Sequence, residues 1–140
     1  MYSGEFQIHE CSMSKNVLIL ESDHEVATTI KLMVEAAGFQ AIAVQTIAAA
    51  LALLSTQRLH TFLTNHLFVS TLKLVSLPWF VKQVQPALNV VYTSAIGLID
   101  ENADDTIDGY LYKPFTIAHL KKMVAEFPCF TTSATATRAS

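Results

Sequence analysis

Short apolar runs recur along the chain, and their spacing predicts the β-strands of one sheet. Residues 17–20 form a continuous run, Val-Leu-Ile-Leu, which is typical of a strand covered on both faces. Acidic and hydroxyl side chains follow this run directly, in Glu21, Ser22 and Asp23. Further runs predict strands at 41–44, around Phe62 and Leu63, at 89–94 and at 110–112.

Between these runs, apolar positions recur at helical spacing. After the first strand they recur every three or four residues and form a stripe along one helix face. Its members are Val26, Ile30, Met33, Val34 and Ala37. Ser22 or Asp23 can cap the start of this helix, and Gly38 can end it. A second helix is predicted from about 47 to 57 after the cap residue Thr46, and a last helix after Thr116, with an inner face of Ile117, Leu120, Val124 and Phe127.

The third and fourth helices are predicted to be short or irregular. Pro78 lies in the segment after the third strand, and a helix tolerates proline in its first turn but not in its interior. This helix therefore begins at Pro78 or is kinked there. The segment between Ser94 and Tyr110 is acidic with few apolar positions, so we expect the fourth helix to be short or poorly packed.

Five alternations of strand and helix predict an α/β, doubly wound fold, in which helices cover both faces of a five-stranded parallel sheet. Functional groups in such sheets lie outside the carboxyl ends of the strands. We therefore expect residues 21–23 and 64–66 to meet Ser94 and Lys113 at one edge of the sheet.

Length and composition indicate one domain. The chain has 140 residues, of which 51% are hydrophobic and 15% charged, as expected for a single core with buried strands. We assign the domain to residues 15–127. Residues 1–14 lack a clear period and are predicted to be an extension, while residues 128–140, rich in Thr, Ser and Ala, are predicted to be a flexible tail.

Charge and hydropathy argue against several classes of partner. The net charge is −3 and no Lys/Arg-rich run occurs, so the sequence gives no sign of binding nucleic acid. The most apolar window, 41–54, is shorter than the roughly 20 residues that span a bilayer. Because no signal peptide is recognisable either, we expect a cytoplasmic protein with Cys11 and Cys129 as free thiols.

Four motifs occur at the predicted carboxyl edge: VLILESD, FLTNHL, VVYTSA and DGYLYKPF. In this order they resemble the receiver domain of bacterial two-component response regulators over about residues 15–127. The last motif is the most specific, because it joins a Lys-Pro pair to an aromatic residue three positions earlier. The resemblance implies a flavodoxin-like (βα)5 fold with strand order 2-1-3-4-5.

The resemblance also implies a role for each matching residue. Asn65 occupies the position of the phosphoacceptor, and Glu21, Ser22 and Asp23 that of the acidic pocket that holds Mg²⁺. The remaining matches are Ser94 for the switch hydroxyl, Tyr110 for the switch aromatic and Lys113 for the conserved lysine. Lys113 is expected to pair with Glu21 or to hydrogen-bond Asn65.

Two departures from the family pattern affect the chemistry. The Asn65 amide is a far weaker nucleophile than a carboxylate, so the usual acyl phosphate is not expected. Ser22 replaces an acid, so metal binding is predicted to be weak or lost, with at most a residual site at Glu21 and Asp23. A third departure is the apolar loop that follows, where Phe68, Val69 and Ser70 replace the family's usual turn residues.

These features predict a pseudo-receiver, a non-phosphorylatable module of a two-component or phosphorelay pathway. We expect it to act without enzymatic activity, by binding a histidine kinase, a phosphotransfer protein or an effector; a homodimer is left open. One alternative is phosphorylation of a neighbouring residue, Asp23, Thr64 or Ser70. Another is a flavodoxin-like domain that binds a small ligand at the same edge. His66 is interpreted as an ordinary loop histidine.

Overall fold

The computed structural model describes residues 15–65, 77–95 and 106–129. Strands and helices alternate through most of these ranges. Their bounds are β1 (Asn16–Leu20), α1 (His24–Ala36), β2 (Gln40–Val44), α2 (Ile47–Leu54), β3 (Thr61–Asn65), α3 (Leu77–Val84), β4 (Asn89–Ala95), β5 (Gly109–Lys113) and α4 (Ile117–Glu126). The predicted fourth helix, the N-terminal extension and most of the C-terminal tail lie outside the described residues, so the division into domain and termini stays a prediction.

The five strands form one parallel sheet in the order β2-β1-β3-β4-β5. This order confirms the predicted doubly wound fold of the flavodoxin-like type. The register places Leu20 opposite Val44 on one side and Thr64 on the other. Asn65 is opposite Thr93. Consequently the carboxyl ends of the central strands lie side by side.

Both faces of the sheet are covered by apolar layers. Leu18 and Phe62 project towards α2 and α3, where they pack with Leu54 and Val81. The alternate strand residues project towards α1 and α4; this second layer contains Val17, Ile19, Ile30, Val34, Leu63, Val91, Leu111, Leu120 and Val124. Burial of each large apolar side chain contributes roughly 1.5–3 kcal/mol. The continuous apolar runs in the sequence follow from this burial on two sides.

Local signals set the helix starts as predicted. The side chains of Asp23, Thr46 and Thr116 each accept a backbone N–H from the first turn of the following helix. After α1, Gly38 has a φ of 99°, which lies in the left-handed region that glycine tolerates. Pro78 lies in the first turn of α3, where its missing N–H removes no helical hydrogen bond.

Two helix predictions differ from the structure. Helix α2 ends at Leu54, earlier than predicted, where the Ser55 and Thr56 hydroxyls donate to the carbonyl of Ala52. Ile117 was predicted to lie on the inner face of α4, and this is wrong, because it is 42% exposed. It lies in the first turn of α4, where residues 116–119 are all exposed.

At the amino edge of the sheet, Lys15 closes the end of α4. Its Nζ donates to the carbonyls of Val124, at 3.2 Å, and Ala125, at 3.1 Å, as cations commonly do at a helix C-terminus. Burial, and secondarily the positive charge of Lys15, lowers the pKa of the nearby His60 from 6.5 to about 4. His60 is therefore neutral in the folded protein near neutral pH.

Candidate functional site

Four strand ends bring the predicted site residues to the carboxyl edge of the sheet. Glu21 follows β1, Asn65 is the last residue of β3, and Lys113 is the last residue of β5. Ser94 lies near the end of β4. The doubly wound topology thus places together residues that lie up to 92 positions apart in sequence.

Glu21 is the common acceptor of this site. Its Oε1 accepts hydrogen bonds from Asn65 Nδ2 and from Lys113 Nζ, each at a distance of 3.2 Å. Its Oε2 accepts the backbone N–H of Asp23 at 3.3 Å. The side chain is only 4% exposed, and burial of a carboxylate is costly unless such donors compensate it.

The Asn65 amide is oriented by this contact. A carboxylate can only accept hydrogen bonds, so the nitrogen of the amide is the atom that faces Glu21, at 3.2 Å. A carboxylate at position 65 would instead bring two negative charges within hydrogen-bond distance. Asparagine therefore fits the electrostatics of this site.

Lys113 neutralises the buried charge of Glu21. The ion pair spans 3.2 Å, and the lysine side chain remains 31% exposed. This is the first of the two contacts expected from the sequence. An ammonium group has three donors, and the Glu21 contact occupies one of them. The Lys113–Pro114 peptide bond that follows is cis.

The other acidic-pocket positions do not join Glu21 in a cluster of oxygen ligands. Asp23 Oδ1 accepts the N–H groups of Glu25, at 2.9 Å, and Val26, at 3.2 Å, as the cap of α1. Ser22 is exposed, and its carbonyl accepts from Gln45 Nε2 at 3.0 Å. Gln45 is not among the predicted site residues, because its position after β2 gives no chemical signal.

These contacts do not fit a divalent cation at the edge. Mg²⁺ prefers near-octahedral oxygen coordination with one or two protein carboxylates. Here Glu21 is engaged by Lys113 and Asn65, while Asp23 holds the helix start. Within ranges 15–65, 77–95 and 106–129, no group of three His, Cys, Asp or Glu side chains is arranged for metal binding.

Ser94 and Tyr110 lie on the α3 side of the sheet. Ser94 is buried, at 4% exposure, and is in register with Tyr112. The Tyr110 ring meets Tyr92 edge-on, with centroids 6.3 Å apart, and stacks with Tyr112 at 6.4 Å. These aromatic contacts hold Tyr110 half-buried. Residues 66 and 68–70, which the sequence analysis also considered, lie outside the described part of the chain.

Searches by sequence and by structure gave different results. No protein-family model matches the chain, and no curated protein gives a significant match. Solved structures do match, and several of those with similar folds are receiver domains. In the part of the chain that the structure describes, no helix has the length and hydropathy needed to cross a membrane.

Three of these structures illustrate the similarity. A CheY-like receiver domain from Methylobacillus flagellatus is 26% identical, with a TM-score of 0.67; the match covers 82% of this chain and 99% of that one. A receiver domain from Clostridium thermocellum is 16% identical, with a TM-score of 0.65; the match covers 79% of this chain and 90% of that one. The third is the receiver domain of a sensor histidine kinase from Pseudomonas aeruginosa, solved with magnesium coordinated in its active-site cleft. It is 18% identical, with a TM-score of 0.62, and the match covers 82% of this chain and 98% of that one. The chain therefore has the fold of response-regulator receiver domains.

Proposed function

We propose that this protein is a pseudo-receiver, a signalling module of a two-component or phosphorelay pathway that is not phosphorylated at position 65. The proposal rests on one observation: Asn65 ends β3 and donates its amide nitrogen to the buried carboxylate of Glu21. The module acts by binding a protein, of which a histidine kinase, a phosphotransfer protein or an effector are the candidates. The similarity to receiver domains supports this pathway.

The chemistry of the amide supports the absence of phosphorylation. Phosphoryl transfer to a side chain requires a nucleophile that is aligned with the donor and has adequate electron density. An amide oxygen is neutral and delocalised, and transfer to it gives no acyl phosphate. The nitrogen of Asn65 already donates to Glu21, so neither amide atom resembles an aspartate nucleophile.

The charge balance at the edge supports the same conclusion. An incoming phosphoryl group needs positive charge to stabilise it. Lys113 supplies one positive charge, but Glu21 compensates it at 3.2 Å. An anion at this edge would therefore have to compete with a carboxylate already in place. The acidic residues that could hold a metal ion are engaged elsewhere, Glu21 by Lys113 and Asn65 and Asp23 by the start of α1.

Contacts at two neighbouring acceptors do not favour the alternative of phosphorylation elsewhere. Both backbone hydrogen bonds of the α1 cap go to Oδ1 of Asp23. Phosphorylation of Oδ1 would remove them, and phosphorylation of Oδ2 would weaken them, because a neutral acyl oxygen is a poorer acceptor than a carboxylate. The Thr64 hydroxyl belongs to a residue only 1% exposed and donates to the carbonyl of Asn65 at 3.3 Å.

We further propose that the protein acts in the cytoplasm and without enzymatic turnover.

Intact-mass measurement tests the proposal. The protein is incubated with Mg²⁺ and acetyl phosphate and then analysed by mass spectrometry under mildly acidic conditions, in which acyl phosphates survive. We expect no stoichiometric phosphoryl adduct. An acid-stable, base-labile adduct would refute the proposal, and peptide mapping would then separate residue 65 from Asp23 and Thr64.

A further inference from the structure

An apolar groove lies beside the carboxyl edge, between α1 and the residues after β5. Its volume is about 400 Å³, within the range of about 300–1,000 Å³ typical of small-molecule sites. The apolar part of its wall is formed by Val26, Ile30, Met33, Pro114 and Phe115. A flexible thioether and an aromatic ring at such a site adapt to ligands of different shape.

The polar residues of the groove differ in how far their charges are compensated. Lys113 and Glu25 both line it, and both lie near the carboxyl edge, at the end of β5 and in the first turn of α1. The charge of Lys113 is balanced by Glu21. The Glu25 carboxylate has no hydrogen-bond or ion-pair partner within the described ranges. Of the three charged side chains at this end, Glu21, Lys113 and Glu25, only Glu25 is therefore left without a counter-charge in the described ranges.

We propose that this groove binds a small organic cation, an amine or guanidine that carries an apolar body. The apolar body lies between Met33 and Phe115, and the cationic group lies at the charged end, beside Glu25. The Phe115 ring offers the apolar body an aromatic surface to pack against. This site is distinct from the position of Asn65, and the proposal does not depend on whether residue 65 is phosphorylated.

The shape of the groove favours a free small molecule over a lysine side chain of a protein partner. A lysine would place only its methylene stem in the groove. The wall offers five apolar side chains, which exceeds what that stem can cover. Burial of a larger apolar body supplies most of the binding free energy, while the exposed Glu25 carboxylate mainly selects the sign of the ligand charge.

Three probes of similar size but different charge test the proposal: 4-phenylbutylamine, 4-phenylbutanol and 4-phenylbutyrate. Each is titrated into the ¹⁵N-labelled full chain, and amide chemical shifts are followed by NMR. We expect the amine to bind most tightly and the carboxylate most weakly, with an overall difference of about tenfold. The largest shifts should occur at residues 25, 29, 33 and 115, which line the groove.

Matched variants locate the site. Glu25→Gln should weaken amine binding about threefold and leave binding of the alcohol unchanged, whereas Glu35→Gln, on the same helix but outside the groove, should change neither. Thr29→Trp, at the groove wall, should abolish binding of all three probes, and its neighbour Thr28→Trp should not. Circular dichroism melting of each variant checks that it is folded.

Three results would overturn the proposal. Tighter binding of 4-phenylbutyrate than of the amine would assign the groove to an anion held by Lys113. Absence of groove shifts with all three probes at 10 mM would exclude a small-molecule site of this kind. If a basic amphipathic peptide, titrated in the same way, alone shifted the groove residues, the groove would be assigned to a protein partner. The phosphorylation test is read out separately, as the mass of the protein; anion binding by Lys113 would remove only the charge-balance support for the proposed function.

Discussion

Replacement of Glu21 by glutamine tests the electrostatic centre of the site. In the native protein Glu21 Oε1 accepts from both Asn65 and Lys113. Glutamine has nearly the same shape as glutamate but no charge, so the variant leaves the Lys113 ammonium without its counter-charge. Removing one partner of a buried ion pair typically costs about 3–5 kcal/mol. Because Lys113 is 31% exposed and water solvates part of its charge, we expect about 2–3 kcal/mol for Glu21→Gln.

Lys113→Met removes the other partner of the ion pair and should lower the free energy of unfolding more than Glu21→Gln does. It leaves the carboxylate of Glu21, only 4% exposed, with two neutral N–H donors, from Asn65 and Asp23. We expect a loss of about 3–4 kcal/mol at pH 7, at the middle of the range for an uncompensated buried charge.

A double-mutant cycle measures the interaction directly. The free energy of unfolding is determined by urea titration at pH 7 for the parent, both single variants and Glu21→Gln/Lys113→Met. The double variant buries no charge at this site, so it should be less destabilised than the sum of the single variants by at least about 2 kcal/mol. The exposed pair Lys122–Glu126, with side chains 69% and 66% exposed, is the control, with an expected coupling below about 0.5 kcal/mol.

Additive effects would refute this reasoning. If the coupling free energy between positions 21 and 113 were no larger than that of the control pair, Glu21 would not compensate the charge of Lys113. A Glu21→Gln variant as stable as the parent would lead to the same conclusion. In either case the charge of Lys113 would be available to an anion, and the argument from charge balance against phosphorylation would fail.

Two further predictions follow from other contacts. Asn65→Asp replaces the amide donor at 3.2 Å from Glu21 by a carboxylate, and the nearby negative charge should raise the pKa of the new aspartate. We expect the variant to be about 2 kcal/mol less stable than the parent at pH 7, and the difference should shrink as the pH falls below the raised pKa. Mg²⁺ should raise the melting temperature of this variant but not that of the parent. The pKa of His60 is lowered from 6.5 to about 4, so the neutral side chain contributes its full stability above pH 6.5 and less as the pH falls towards 4. Between pH 7 and pH 5 the free energy of unfolding of the parent should fall by about 1–2 kcal/mol more than that of His60→Gln. Equal decreases in urea titrations of the two proteins would contradict this.

Much of the fold could be predicted because its determinants are local. The apolar run of β1 requires burial on two faces, and Asp23, Thr46 and Thr116 cap helices wherever they precede an amphipathic stripe. Parallel topology then brings the strand ends together without further information. Pro78 likewise limited α3 to a start at this residue or a kink there, because few helix positions accept proline; in the structure it lies in the first turn.

Other features depend on contacts between distant parts of the chain. The Lys15 contact with the end of α4 spans 109 positions in sequence, and no periodicity indicates it. Met33 and Phe115 could be recognised as apolar, but not as opposite walls of a groove, because that requires the path of the chain after β5. The sequence indicated that Glu21 and Lys113 approach each other, while their sharing of one carboxylate oxygen with Asn65 required the structure.

The central claim is that Asn65 and Ser22, which stand in place of carboxylates, prevent phosphorylation at the carboxyl edge. Its most direct test is the intact mass of the parent and of Ser22→Asp/Asn65→Asp after identical incubation with Mg²⁺ and acetyl phosphate. We predict no stoichiometric phosphoryl adduct on the parent and a partial, base-labile adduct on the double variant that maps to position 65. A stoichiometric adduct on the parent, or a double variant that remains wholly unmodified although folded, would contradict this account.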